Sequence, residues 1–307
     1  MGYSARYHAT SLIAVFLAIA IGILIGAEFG GDALTSTRKN LEQSLTGNLQ
    51  DAREHADELS GKLAHSDEFA NRVYPALVRD RLAGRRIGVV AIGDLPGETT
   101  NAIEEMLGPT GARLVGIGVV REPVDLSALA GELSKTRFGD IRQNEDTLTE
   151  FGTGAGRQLV RGGTLLERVR SHLFSRASGN FGALDGVIVV RQVPEELGAV
   201  QRAKATNLET ALMGGIAGTR TPTVGVETTT AEPSSVSFFN ANDLASVDDV
   251  ESTAGKVATV FALLGAEGSF GVKGSADRLL PDLLPPAGGS VAGSGPGSGR
   301  GQMDVAP

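Results

Sequence analysis

The chain has 307 residues, a formal net charge of −8 and no cysteine or tryptophan. Without cysteine it can form no disulfide framework, zinc–thiolate cluster or thiol nucleophile. The acidic balance argues against a nucleic-acid partner, which needs a basic patch to neutralise phosphates, while the length suffices to bury a core.

Residues 1–8 form a short polar head. The first element is ATSLIAVFLAIAIGILIGA, residues 9–27, which carries no charge. At 1.5 Å rise per residue such a helix spans about 28 Å, close to the roughly 30 Å hydrocarbon core of a bilayer. The run exceeds the apolar core of a signal peptide, and a cut after Ala27 would put Ile25 where a small residue is preferred. The segment reads as a permanent transmembrane anchor; a cleaved signal and a buried globular helix are the alternatives. Ala14, Ala18, Gly22 and Gly26 recur at every fourth position. That spacing lets helix backbones approach closely in lipid and predicts self-association, against the plainer reading that small residues are common in such helices. Lys and Arg near the two ends do not settle orientation. A short polar head is easily left in the cytoplasm, so the body is expected on the extracytoplasmic side.

Residues 35–80 read as a coiled-coil helix. Steps of four and three join Leu45, Leu49, Ala52, Ala56, Leu59, Leu63, Ser66, Ala70, Val73 and Leu77, with charged residues between them. This a/d seam predicts pairing with a second helix, in a homodimer or higher homo-oligomer. The alternative is an amphipathic helix folded back on its own domain. Leu34 and Leu41 fall outside the register, which predicts an irregular join to the anchor, and Pro75 is expected to mark a break.

Residues 85–283 alternate strand and helix. Short apolar runs at 86–93, 111–120, 183–192 and 221–228 read as strands, and SVSFFN (235–240) as a fifth. Helices are expected over 97–108, 195–217 and 247–265, with a helical, Gly-rich insertion between 121 and 182. The glycines of GTGAGRQLVRGG (152–163) are expected to connect helices. The predicted fold class is α/β, a mostly parallel, three-layer, Rossmann-like sandwich. Residues 284–307 are dominated by Gly, Ser, Ala and Pro and are expected to be a disordered tail.

A doubly wound sheet binds ligands beyond the carboxyl ends of its strands. The polar residues expected there are Asp94, Arg191, Gln192, Glu227 and Asn240. Each has a structural alternative: Asp94 at a helix start or turn, Arg191 paired with a carboxylate. No phosphate-binding glycine motif follows the first strand. His8, His55, His65 and His172 are scattered, as are the four methionines. No cofactor is evident, no catalytic set stands out, and a non-enzymatic role is expected.

The blocks RYHATSLIAVFLAIAIGILIG, RRIGVVAIGD and SVDDVESTAGKVATVFALLG, with the coiled coil between the first two, resemble the actinobacterial MctB-like family, the mycobacterial copper transport protein B group. The resemblance implies an envelope protein linked to copper efflux or homeostasis, sometimes described as an outer-membrane channel. It also implies an alternative, since related members are tied to envelope assembly and division as half of a membrane protein pair. It supplies no copper-ligand motif, so the metal-binding residues stay unknown.

Overall fold

In a computed structural model of the chain, residues 5–192 and 198–282 are described, with side chains left aside at 5–9, 28–38, 40, 199 and 200. The expected tail at 284–307 and the start of the helix expected from residue 195 lie outside the described residues.

The first helix, α1, runs Ala5–Val78 without interruption. The irregular join expected near Leu34 and Leu41 is therefore replaced by continuous helix, and Pro75 lies inside the helix instead of breaking it. The chain divides into two units at Phe69 and Ala70. In the first unit every described side chain from Thr10 to Phe69 is exposed, including Leu45, Leu49, Leu59 and Leu63. Its segment Thr10–Ala27 is long and apolar enough to cross a membrane.

In the second unit the last turns of α1 change surroundings. Ala70, Val73 and Leu77 are half-buried, while Tyr74 and Val78 are buried in the core of this unit. The Tyr74 hydroxyl donates to the Met106 carbonyl at 2.7 Å, and Thr253 Oγ1 donates to Asn71 Oδ1 at 2.6 Å. The predicted seam is thus divided: its final residues pack on the α/β body.

Seven strands form one mixed sheet: β1 (Arg86–Gly93), β2 (Arg113–Val120), β3 (Phe174–Gly179), β4 (Gly186–Gln192), β5 (Thr223–Val226), β6 (Ala245–Val247) and β7 (Ser269–Phe270). The order is β3-β2-β1-β4-β5-β6-β7, and every pair is parallel except β2 with β3. Helices α2 (Gly97–Leu107), α3 (Leu126–Glu132), α4 (Glu145–Arg161), α5 (Thr164–Leu173), α6 (Ala199–Ala217), α7 (Val236–Ala241) and α8 (Thr253–Leu263) complete the unit. Alternation along β1 sends Ile87, Val89 and Ala91 into the core with α2, α8 and the end of α1. Val90 and Ile92 point into the second core, with α3–α7. Both faces are covered, as a largely parallel sheet requires.

SVSFFN is not a strand. It forms α7, because Val236 and Phe239 are buried while Ser237 and Asn240 are exposed, a helical spacing and not an alternating one. A Cβ at Gly225 would overlap the Phe239 ring, so the helix packs directly on β5. The long helix expected over 247–265 begins only at Thr253, capped by Ser252, whose hydroxyl accepts from the Gly255 amide. Val247 ends β6, and the buried Asp248 carboxylate accepts from the amides of Val272 and Lys273. The edge strand β3 was not expected; only Phe174 in it is fully buried, so it lacks a strand's apolar pattern.

The Gly-rich stretch 152–163 is also corrected. Residues up to Arg161 lie within α4, and only Gly162 and Gly163 connect it to α5. A Cβ at Gly156 would overlap the Leu212 carbonyl, and one at Gly152 would lie 2.6 Å from the Ala211 Cβ. The glycines let α4 and α6 approach almost backbone to backbone. Gly156→Ala should therefore cost about 1–3 kcal/mol through overpacking, exceeding the gain of about 1 kcal/mol in helix propensity. Gly154→Ala meets only Leu165 Cδ2 at 3.4 Å and should be neutral or stabilising. Urea unfolding followed by circular dichroism separates the two; equal effects would contradict the close packing.

Candidate functional site

From β1 the chain crosses to β2 on one side of the sheet, while β4 lies on the other. Strand order therefore reverses between β1 and β4, the place where open α/β sheets form a crevice. A cleft of about 200 Å³ opens there, lined by Pro96, Glu98 and Thr99 before and within α2, by Arg191 and Gln192 of β4, and by Glu227 with the loop to Pro233. Of the residues expected at the strand ends, Arg191, Gln192 and Glu227 are brought together. Asp94 is exposed and outside the lining, and its amide donates to the Gln192 carbonyl. The N-cap of α2 is Pro96, so Asp94 does not start that helix. Asn240 lies on α7, where its Oδ1 accepts from the hydroxyls of Ser246 and Ser269.

Two charges of the cleft, Arg191 and Glu227, are neutralised from behind. Arg191 Nε donates to Glu209 Oε2 at 2.7 Å, and its guanidinium lies 4.4 Å from the Phe238 ring centre. The Glu227 side chain is 2% exposed. Its Oε1 accepts from Lys273 Nζ and Ser234 Oγ, both at 2.7 Å, while Oε2 accepts from the Ser235 amide. Lys273 also reaches the Ala231 carbonyl at 3.1 Å, which ties the loop beyond β5 to the end of β7. Charges removed from water are kept by such partners, because an unpaired buried charge is far costlier.

Sequence reasoning missed Glu209, Lys273 and Glu122, which lie far from the strands they serve. One signal was available: Glu209 falls between Leu208 and Ala211 on the buried side of α6, where a carboxylate needs a partner. Glu122 follows β2. Burial, then the neighbouring Glu209 carboxylate, pushes its carboxyl up to about 7, and Arg191 opposes the shift. Asp249, buried before α8, is pushed up to about 6 by burial, with the Asp248 and Glu251 carboxylates adding to it against the Ser252 hydrogen bond. The Asp249 Oδ1 atom has no partner among the described residues.

Elsewhere, Gly22 and Gly26 are open to their surroundings, and a Cβ on either would meet nothing within 4 Å. Ala14 and Ala18 are likewise exposed. His55 Nδ1 lies 3.9 Å from Glu58, and His172 is half-buried on α5. Among the described residues, no three His, Asp or Glu side chains converge to hold a metal ion.

The family described as "Copper transport outer membrane protein, MctB" matches residues 3–281. The chain belongs to the MctB family. Proteins named "Copper transporter MctB" from Mycobacterium bovis and Mycobacterium tuberculosis are 29% identical to it over 126 residues, 41% of this chain and 40% of theirs. The Mycobacterium leprae protein of the same name is 26% identical over an equal length. The matched stretch thus spans well under half of those relatives. A membrane or envelope location accords with the family description and with the apolar segment Thr10–Ala27.

In this MctB-family chain the raised carboxyls make stability depend on pH. Glu122 moves from 4.5 to about 7 on folding and Asp249 from 3.8 to about 6. Each favours the folded state while protonated, so their contribution is complete below the unfolded values and is lost as pH rises through the folded ones. Glu122→Gln should remove its share. Melting temperature followed from pH 4.5 to about 7 should fall less steeply than in the wild type, and parallel slopes would refute the assignment.

Proposed function

We propose that the chain is a single-pass membrane protein acting in copper efflux or homeostasis. Its N-terminus lies in the cytoplasm and its α/β unit on the extracytoplasmic side; the family description also offers an outer-membrane location. The observation that carries this reading is the copper-transport family match over residues 3–281. The exposed apolar helix Thr10–Ala27 supports the anchor. A lone transmembrane helix uses its backbone polar groups internally and encloses no polar path. Transport in this reading therefore runs through several copies or through a partner. Deleting the gene should lower copper tolerance and raise cellular copper several-fold, with recovery on re-expression. Unchanged tolerance and copper content would overturn the role, and protease protection of the α/β unit in sealed spheroplasts would overturn the orientation.

The second reading is a non-catalytic, self-associating envelope scaffold that acts through protein partners. It is favoured by the exposed stripe Leu45, Leu49, Leu59 and Leu63 on α1 and by the small residues Ala14, Ala18, Gly22 and Gly26. A helix in a protein gains most of its stability from packing an apolar face. Two copies held in one membrane raise each other's effective concentration and supply that packing. Gly22→Leu or Gly26→Leu should reduce crosslinked dimer in native membranes several-fold by blocking close approach. Undiminished crosslinking would leave the small-residue stripe without a role.

A further inference from the structure

We propose that the cleft beyond β1, β4 and β5 binds a small zwitterionic amino-carboxylate, a free α-amino acid or a molecule ending in one. One wall is the first turn of α2, a helix of eleven residues whose N-cap, Pro96, supplies no side-chain acceptor. The first backbone bond there runs from the Thr100 amide to the Pro96 carbonyl. The amides of Gly97, Glu98 and Thr99 therefore stand as open donors at the positive end of the helix.

A second feature points independently to a ligand. Thr99 is only 3% exposed and lines the cleft, yet its hydroxyl has no hydrogen-bond partner among the described residues. The oxygen is not one of the atoms shut off from solvent without a partner, so its opening is the cleft, and its hydroxyl is a donor that no protein group among the described residues has taken. A carboxylate seated at the start of α2 would accept from that hydroxyl and from the open amides together.

The charges on the walls decide what else the ligand carries. Among the described residues, four ionisable side chains line the cleft: Glu98, Arg191, Glu227 and Glu232. Arg191 is held by Glu209 and Glu227 by Lys273. Glu98 and Glu232 are exposed, and neither has an ion-pair partner among the described residues. Two uncompensated carboxylates repel a phosphate dianion but favour an ammonium group. The walls thus offer donors for one carboxylate and anions for one amine, and about 200 Å³ suits a molecule of that size.

The test is isothermal titration of the full chain in lipid nanodiscs with glycine, L-alanine and L-glutamine, against acetate, methylamine and inorganic phosphate. At least one amino acid should bind saturably, and acetate and methylamine at least tenfold more weakly. Thr99→Val, which keeps the side-chain shape, and Glu232→Gln, at an exposed position, should each weaken binding about tenfold with circular dichroism unchanged. The proposal is overturned if no amino acid binds, if phosphate binds more tightly than every amino acid, or if both variants keep wild-type affinity.

Discussion

Strands β1 and β4 are covered on both faces, and this constrains everything around them. Ile87, Val89 and Ala91 face one core, and Val90 and Ile92 the other. Val187 and Val189 face the second core, while Ile188 and Val190 face the first. No polar side chain is tolerated within such strands without a partner. Chemistry is therefore displaced to the strand ends, where Arg191, Gln192 and Glu227 emerge. The cleft lies where it does because strand order reverses between β1 and β4.

The strand ends are held by polar bonds between distant parts of the chain. Glu227 joins the end of β5 to Lys273 beyond β7 and to the start of α7 through Ser234 and Ser235. Arg191 joins β4 to α6 through Glu209, and its carbonyl accepts from Ser235 Oγ. These bonds contribute more to a unique arrangement than to net stability, because desolvating each charge offsets much of the attraction. Glu122 beside Glu209 adds a second carboxyl to the same guanidinium, and burial keeps it from ionising at its ordinary pH.

The long helix α1 illustrates a different constraint. Its backbone is uniform from Ala5 to Val78, but the demands on its side chains are not. Thr10–Ala27 is long and apolar enough to cross a membrane. The stretch to Phe69 carries a narrow exposed leucine stripe among charges, and from Ala70 onward the apolar positions pack on the α/β unit. Helical backbone bonding is local, so the helix continues while its surroundings change.

What could be read from the sequence follows from local or periodic rules. The uncharged run at 9–27, the helix after it, the central strands at 86–93 and 183–192 and the helix at 97–108 all announce themselves through apolar period and length. Arg191 and Glu227 are legible as polar residues closing apolar runs. Only tertiary structure decided the rest. SVSFFN became α7 because Phe239 packs on Gly225, and the Gly-rich stretch 152–163 became helix because α6 lies against it. The partners of the cleft charges come from 18 and 46 residues away. Periodicity fixes which face of an element is apolar, but which distant carboxylate or amine meets a given charge depends on chain topology, and no local pattern encodes that.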